Sequence, residues 1–282
     1  MGIRGVWSCF KQHFQPIHPE SLEDSKRIGI DMFSLVYTHR DSLDDLLNLI
    51  KGWGSKHTVT CIWDGTAPKE KQEIIAERRS TRDTAKEKKG ELEVYLAEHG
   101  SELAEDDIVK LNSAIESLSW KSWHLTGTLK KEIQVKLGPG IDHIFAPGEA
   151  DDLLIEMTFN KEIDIVLSLD SDLFAMGSPR IWRLMKKRSF FTEEISVEKV
   201  CNDWGISLSM LQDASYLAGW DRCHPTAGEF IPFSKALSLV KFYGKLQIIL
   251  EKNNIEATQE SLACLKKLKA ESKARWLKVL AN

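Results

Sequence analysis

Three short apolar runs, rich in β-branched residues, each lead into an aspartate. Arg27-Ile28-Gly29-Ile30 runs into Asp31, Thr58-Val59-Thr60-Cys61-Ile62-Trp63 into Asp64, and Asp164-Ile165-Val166-Leu167-Ser168-Leu169 into Asp170. Continuous apolar runs of this length, with helical stretches between them, predict buried parallel strands. A shorter run, His143-Ile144-Phe145-Ala146, stops at Pro147. Helices are predicted over 41–52, from about 68 to 89, and over 149–159. The alternation predicts an α/β fold: a mostly parallel central sheet with helices on both faces.

The stretch 84–127 breaks this rhythm. It is polar, helical in composition and free of strand signal, with acidic residues concentrated around 98–107. It predicts a helical excursion inserted at about 80–130. After Arg188 the pattern predicts helices over 196–204, 209–217 and 233–243, and a basic amphipathic tail around 261–280. The expected division is an α/β core over 1–190, carrying the insertion, and a helical region over 191–282.

Composition narrows the class. Of 282 residues, 42% are hydrophobic and 28% charged, enough to bury a full core. The net charge of −4 excludes a simple basic nucleic-acid coat but not a nuclease with clustered acids. Five cysteines without paired spacing argue against a disulfide framework and for a reducing compartment. No signal segment and no long apolar run is visible, so the expectation is an intracellular protein without a membrane partner.

In an open α/β sheet, ligands sit beyond the carboxyl ends of the strands. That edge would receive Asp31, Asp64 and Asp170. Singly, each is equally at home as a turn former or helix cap. Asp170-Ser171-Asp172 places two carboxylates on one side of an extended exit. Glu149-Ala150-Asp151-Asp152 opens a helix, where acids also suit the helix dipole. Crowded carboxylates repel unless a cation neutralises them, and oxygen-only ligands suit Mg²⁺ or Mn²⁺ rather than zinc. Lys71 and Arg78, seven apart, share one helical face, and Arg79 and Arg82 extend the charge. That face is either solvated, with Glu70, Glu73 and Glu77 interleaved, or a phosphodiester-binding surface.

These residues resemble the flap endonuclease, or XPG-type, structure-specific 5′ nucleases. The resemblance runs over about residues 1–245. It rests on the opening Met1-Gly2-Ile3-Arg4-Gly5-Val6-Trp7, on the segment from Ile30-Asp31 to Tyr37, and on Trp63-Asp64-Gly65 with the basic helix that follows. It continues through Ala146-Pro147-Gly148-Glu149-Ala150-Asp151, Leu169-Asp170-Ser171-Asp172 with Gly177-Ser178-Pro179, and Leu217-Ala218-Gly219-Trp220-Asp221. Asp151 stands where the family usually has Glu. The resemblance implies a PIN-like nuclease core, metal ligation by Asp31, Asp64, Glu149, Asp151, Asp170, Asp172 and Asp221, and two Mg²⁺ ions for which Mn²⁺ substitutes. It assigns Lys71 and Arg78 to the scissile phosphate. Gly2, Arg79, Arg82, Ser234 and Lys235 are expected to meet nucleic acid.

Two departures stand out. The family's Gly-x-Gly hairpin after the last ligand is replaced by Thr226-Ala227-Gly228-Glu229-Phe230-Ile231-Pro232. The chain also has no recognisable sliding-clamp docking motif. The expected activity is divalent-metal-dependent cleavage of DNA near 5′ flaps or 5′ ends, by a monomer, in replication, repair or recombination. The expected place of work is a nucleus or a viral replication site. Alternatives are a 5′ exonuclease or junction resolvase of the same superfamily, and a non-catalytic DNA-binding scaffold.

Overall fold

The computed structural model describes residues 2–66, 72–225 and 230–280. Its strands are β1 (Gln15–Ile17), β2 (Arg27–Asp31), β3 (Thr58–Trp63), β4 (Asp142–Phe145), β5 (Ile165–Leu167), β6 (Arg180–Lys186) and β7 (Phe190–Ser196). They form one sheet in the order β1-β7-β6-β5-β2-β3-β4. The five strands from β6 to β4 are parallel, and β7 runs antiparallel between β6 and β1.

Successive strand residues point to opposite faces. In β3, Val59 through Trp63 are all buried, as are Ile165, Val166 and Leu167 of β5. Both faces of the central strands are therefore covered, as the unbroken apolar runs predict.

The helices are α1 (Val6–Cys9), α2 (Met32–Thr38), α3 (Leu43–Gly54), α4 (Gln72–His99), α5 (Glu105–Ser122), α6 (Gly127–Leu137) and α7 (Ala150–Phe159). After α8 (Asp172–Ala175) come α9 (Val197–Trp204), α10 (Leu208–Leu217), α11 (Phe233–Tyr243), α12 (Leu246–Lys252) and α13 (Gln259–Leu280). Helix α7 packs across β2, β3 and β5.

The chain forms two compact units, one of residues 1–65 and 133–282, the other of 66–132. In the second, α4 and α5 are joined by a short turn and pack on each other. In the first, one core joins the sheet to the later helices: Leu154, Val166 and Ile181 share it with Val200, Leu211, Trp220, Leu237 and Leu265. Helix α13 docks through Lys269, whose Nζ lies 2.5 Å from Asp213 Oδ1, so this lysine of the basic tail is spent on an ion pair.

The sequence pattern differs from the fold in three places. The run 164–169 yields a strand only over Ile165–Leu167. The helix expected to end near 89 continues to His99. The β6–β7 hairpin replaces a direct turn to helices, and the boundary drawn at 190/191 falls inside β7. Alternating charges mask β6, and their partners lie across the hairpin. Arg180 Nη2 and Trp182 Nε1 both donate to Glu194 Oε2 at 2.7 Å. Arg183 stacks over the Trp7 and Phe14 rings, and Lys186 pairs with Asp45 at 3.2 Å. The basic residues of 180–188 are thus partly neutralised, while Lys187 and Arg188 stay exposed.

Candidate active site

Strand order reverses between β2, which continues to β3 on one side, and β5 on the other. Such a switch point opens a crevice at the carboxyl ends of the two strands. Asp31 ends β2 there, 5% exposed. Its Oδ1 accepts from the Ser34 N–H at 3.1 Å, capping α2, and its Oδ2 accepts from Ser168 Oγ at 2.7 Å. Ser168, just past β5 and fully buried, also accepts from the Asp170 N–H at 3.0 Å. This serine ties the two strand ends together.

Asp64 follows β3. Its Oδ1 accepts from the Ala150 N–H at 2.8 Å, fastening it to the start of α7. The approach needs Gly65, whose N–H donates to Gly148 O at 2.8 Å. A Cβ at Gly65 would come 1.9 Å from the carbonyl oxygen of Ala146, a backbone atom that cannot swing aside.

The Asp170–Asp172 loop is held from the N-terminus. Ser171 Oγ accepts from the Ile3 N–H at 2.6 Å, and Trp7 Nε1 donates to Leu169 O at 3.0 Å. Gly2 lies at φ +51, where an added Cβ would stand 2.2 Å from Asp170 Oδ1. Gly2 thus sits directly against the carboxylate loop. Asp170 Oδ1 accepts from the Asp172 N–H at 3.1 Å, and Asp172, 3% exposed, begins α8.

These acids act on one another. Asp151 is pushed well above the ordinary carboxylate range, first by burial and then by the charges of Asp170, Asp31 and Asp172, while Arg222 pulls it back. Burial pushes Asp31 up to about 6, with the Ser168 and Ser34 bonds opposing and the charge of Asp64 adding to the rise. So Asp31, Asp64, Asp151, Asp170 and Asp172 share one electrostatic neighbourhood.

Glu149, the residue before α7, faces a cation instead. Arg222 Nη2 lies 3.2 Å from Glu149 Oε2, and Arg222 Nη1 donates to Asp152 Oδ1 at 2.6 Å. Burial lowers the Arg222 guanidinium, but Asp152, Asp151 and Glu149 outweigh it and leave the group above its usual value. Asp221, half-buried, sits beside it in the turn after α10.

The donor set fits a hard divalent cation. It is oxygen-only, and the negative charges crowding Asp151 and Asp31 are of the kind that a +2 charge would relieve. Among the described residues, no three His, Cys, Asp or Glu side chains already form a closed ligand set. The cluster is one of neighbouring charges rather than a finished cage.

Other sequence candidates are carried by other elements. Arg78 and Arg79 are exposed and Arg82 is half-buried on α4, in the second unit. Ser234 and Lys235 are exposed in the first turn of α11. Lys71 and the 226–229 stretch fall outside the described residues. Sequence reasoning missed Ser168, whose only signal was a polar residue inside an apolar run. It also missed Arg222, a cation directly following a candidate ligand.

Residues 140–221 match the XPG I-region. Flap endonuclease 1 of Zea mays is 27% identical over 202 residues, covering 70% of this chain and 49% of that protein. Exonuclease 1 of Xenopus laevis is 25% identical over 205 residues, covering 66% of this chain and 26% of that protein. The chain therefore spans about half the length of the flap endonuclease it matches, at 49%. The solved catalytic core of Rad2 superposes with a TM-score of 0.62 at 20% identity, over 90% of this chain and 70% of that one, and so shares the fold. Over residues 140–221 the chain is thus similar to the XPG I-region, over about 200 residues it is similar to flap endonuclease 1 and exonuclease 1, and its fold is that of the Rad2 catalytic core.

Proposed function

We propose that this protein hydrolyses DNA phosphodiesters near 5′ flaps or 5′ ends, with Mg²⁺ or Mn²⁺ as cofactor. The observation that carries the reading is the charge cluster on Asp151, where acids from β2, α7 and the β5 exit meet at the switch point. A scaffold protein gains nothing from that repulsion, whereas a metal nuclease requires it.

In this reading Asp64, Glu149, Asp151 and Asp170 hold the more catalytic of two ions. Asp172 and Asp221 would lean toward the second, with Asp31 acting through water. When bound, such ions supply a nucleophile from water at neutral pH and offset charge on the phosphate and the leaving 3′ oxygen. The chain's own parts orient the acids. Ser168 and Ser34 hold Asp31, the Ala150 N–H holds Asp64, and Gly2 and Ile3 back the Asp170 loop. Lys71 and Arg78 steer the scissile phosphate, and such preorganised charges count most as charge develops in the transition state. Gly2, Arg79, Arg82, Ser234 and Lys235 add contacts to the DNA backbone. The polar α4–α5 pair suits selection of a free single-stranded 5′ end. The place of action follows from the substrate: wherever branched DNA arises, in a nucleus or a viral replication site.

The exonuclease 1 match supports a second reading, stepwise removal of nucleotides from a 5′ end. One assay separates these. Flap, nicked, gapped and Holliday-type DNA are offered side by side with Mg²⁺, Ca²⁺ or EDTA. Endonucleolytic release of an intact flap with Mg²⁺ alone is expected. Mononucleotide products favour the exonuclease, and undiminished cleavage in EDTA removes the metal reading altogether.

A further inference from the structure

Arg222 is a cation built into an acidic site. Its side chain is 10% exposed and Glu149 beside it 17%. It bridges two carboxylates of the α7 start, at 3.2 Å to Glu149 and 2.6 Å to Asp152. The backbone under it is fixed. A bridge pairs Trp220 with Cys223, and Cys264 Sγ donates to the Arg222 carbonyl at 3.3 Å. Gly219 just before it takes φ +84 beneath the Phe230 ring. The guanidinium is thus presented from a rigid turn rather than from a free surface loop.

The plain alternative is a structural staple between this turn and α7. A staple needs only one carboxylate, and half-exposed Asp152, with its shorter contact, would suffice. The second partner, Glu149, belongs to the acid set that the functional reading assigns to metal. A helix N-terminus already favours acids without a side-chain cation. A guanidinium also keeps its charge at any working pH, unlike an amine. A diffusing cation that claims Glu149 must first displace an ion pair in a largely buried site, one that Nη2 makes by proximity at 3.2 Å rather than by a hydrogen bond.

We propose that in the DNA-free protein Arg222 is a fixed internal cation that occupies Glu149 in place of a divalent ion, so that this state takes up one divalent ion rather than two. The inference rests on the metal-nuclease reading. Arg222 is a positioning residue here: it acts on Glu149 and not on the substrate.

The test is a Mn²⁺ titration of the DNA-free full chain, read by electron paramagnetic resonance, with flap cleavage measured in parallel. Wild type and Arg222→Lys, which keeps the charge, are expected to bind one Mn²⁺ per chain. Arg222→Met and Arg222→Gln, which remove it, are expected to bind two. Gln keeps an N–H donor for Asp152 and serves if Met does not fold. A mere staple would change melting temperature but not stoichiometry. Two ions in wild type, or one in a folded neutral variant, overturn the proposal. Two ions with normal flap cleavage in wild type defeat this inference alone. No Mn²⁺ and no cleavage in wild type defeat the functional reading, and this inference with it.

Discussion

Ser168 Oγ donates to Asp31 Oδ2 at 2.7 Å and so closes β5 against β2 where the strand order reverses. The bond lies wholly in the interior, and it favours the ionised form of a carboxylate that burial opposes. Ser168→Ala leaves Asp31 Oδ2 and the Asp170 N–H without this partner. Leaving buried polar groups unmet costs about 1–3 kcal/mol, which urea unfolding should register. Cleavage at fixed Mg²⁺ should fall roughly tenfold or more, a barrier change of about 1.4 kcal/mol. Wild-type stability and rate in this variant would show the serine to be incidental.

Asp170→Asn should remove most of the cleavage rate while the fold persists. The amide oxygen can still accept from the Asp172 N–H, now at 3.1 Å, but the charge that balances metal is gone. Flap DNA affinity should hold or rise, since one source of repulsion toward phosphate is lost. Near-normal turnover by folded protein would exclude Asp170 as a ligand.

Metal-free protein should lose stability as pH rises from about 4 to about 6.5. Asp31 in the fold titrates at about 6, above the roughly 3.9 of an unfolded chain. The folded state therefore holds more protons in that window, and its advantage is complete only below the unfolded value. Asp151, raised by the same neighbours, pushes in the same direction. Urea melts in EDTA at pH 5 and 7.5 should differ by on the order of 1–3 kcal/mol in favour of pH 5. Asp31→Asn should flatten the difference, and Mg²⁺ should reverse it. Higher stability at pH 7.5 in EDTA would contradict the repulsive cluster.

Gly65→Ala should disrupt both fold and activity. Its Cβ would meet the Ala146 carbonyl oxygen at 1.9 Å, so the β3 exit must move and carry Asp64 with it. Forced overpacking typically costs about 1–3 kcal/mol, occasionally more, and the loss here should fall at the upper end. Gly52→Ala in α3 meets nothing within 4 Å and is the control. It should stabilise by about 0.5–1 kcal/mol through helix propensity. Equal melting temperatures for both variants would refute the tight approach.

Lys71→Ala and Arg78→Ala should each slow single-turnover cleavage by roughly 10²–10³, with flap affinity changed only severalfold. If both residues serve a solvated face instead, each change should cost less than about 1 kcal/mol of stability and leave the rate intact. Rates within twofold of wild type for both variants would decide for the solvated face.

The strands that carry acids were legible because each is buried on both faces and so reads as an unbroken apolar run. Arg27–Asp31 and Thr58–Trp63 follow the pattern residue for residue. The β6–β7 hairpin was not legible, because Arg180 and Glu194 look like surface charges until the hairpin brings them together at 2.7 Å.

Local pattern alone determined that Asp31, Asp64 and Asp170 leave the sheet at its carboxyl edge, since strand direction and an apolar run ending in Asp are properties of a few adjacent residues. Only the tertiary structure decided which acids share a field and which do not. Asp151 feels Asp170, Asp31 and Asp172, whereas Glu149 is held by Arg222. Ser168 and Arg222 took their roles from partners 137 and about 70 residues away in the chain. Charges act through space over a few ångströms, and no spacing along the chain reports which distant residue will fill that space.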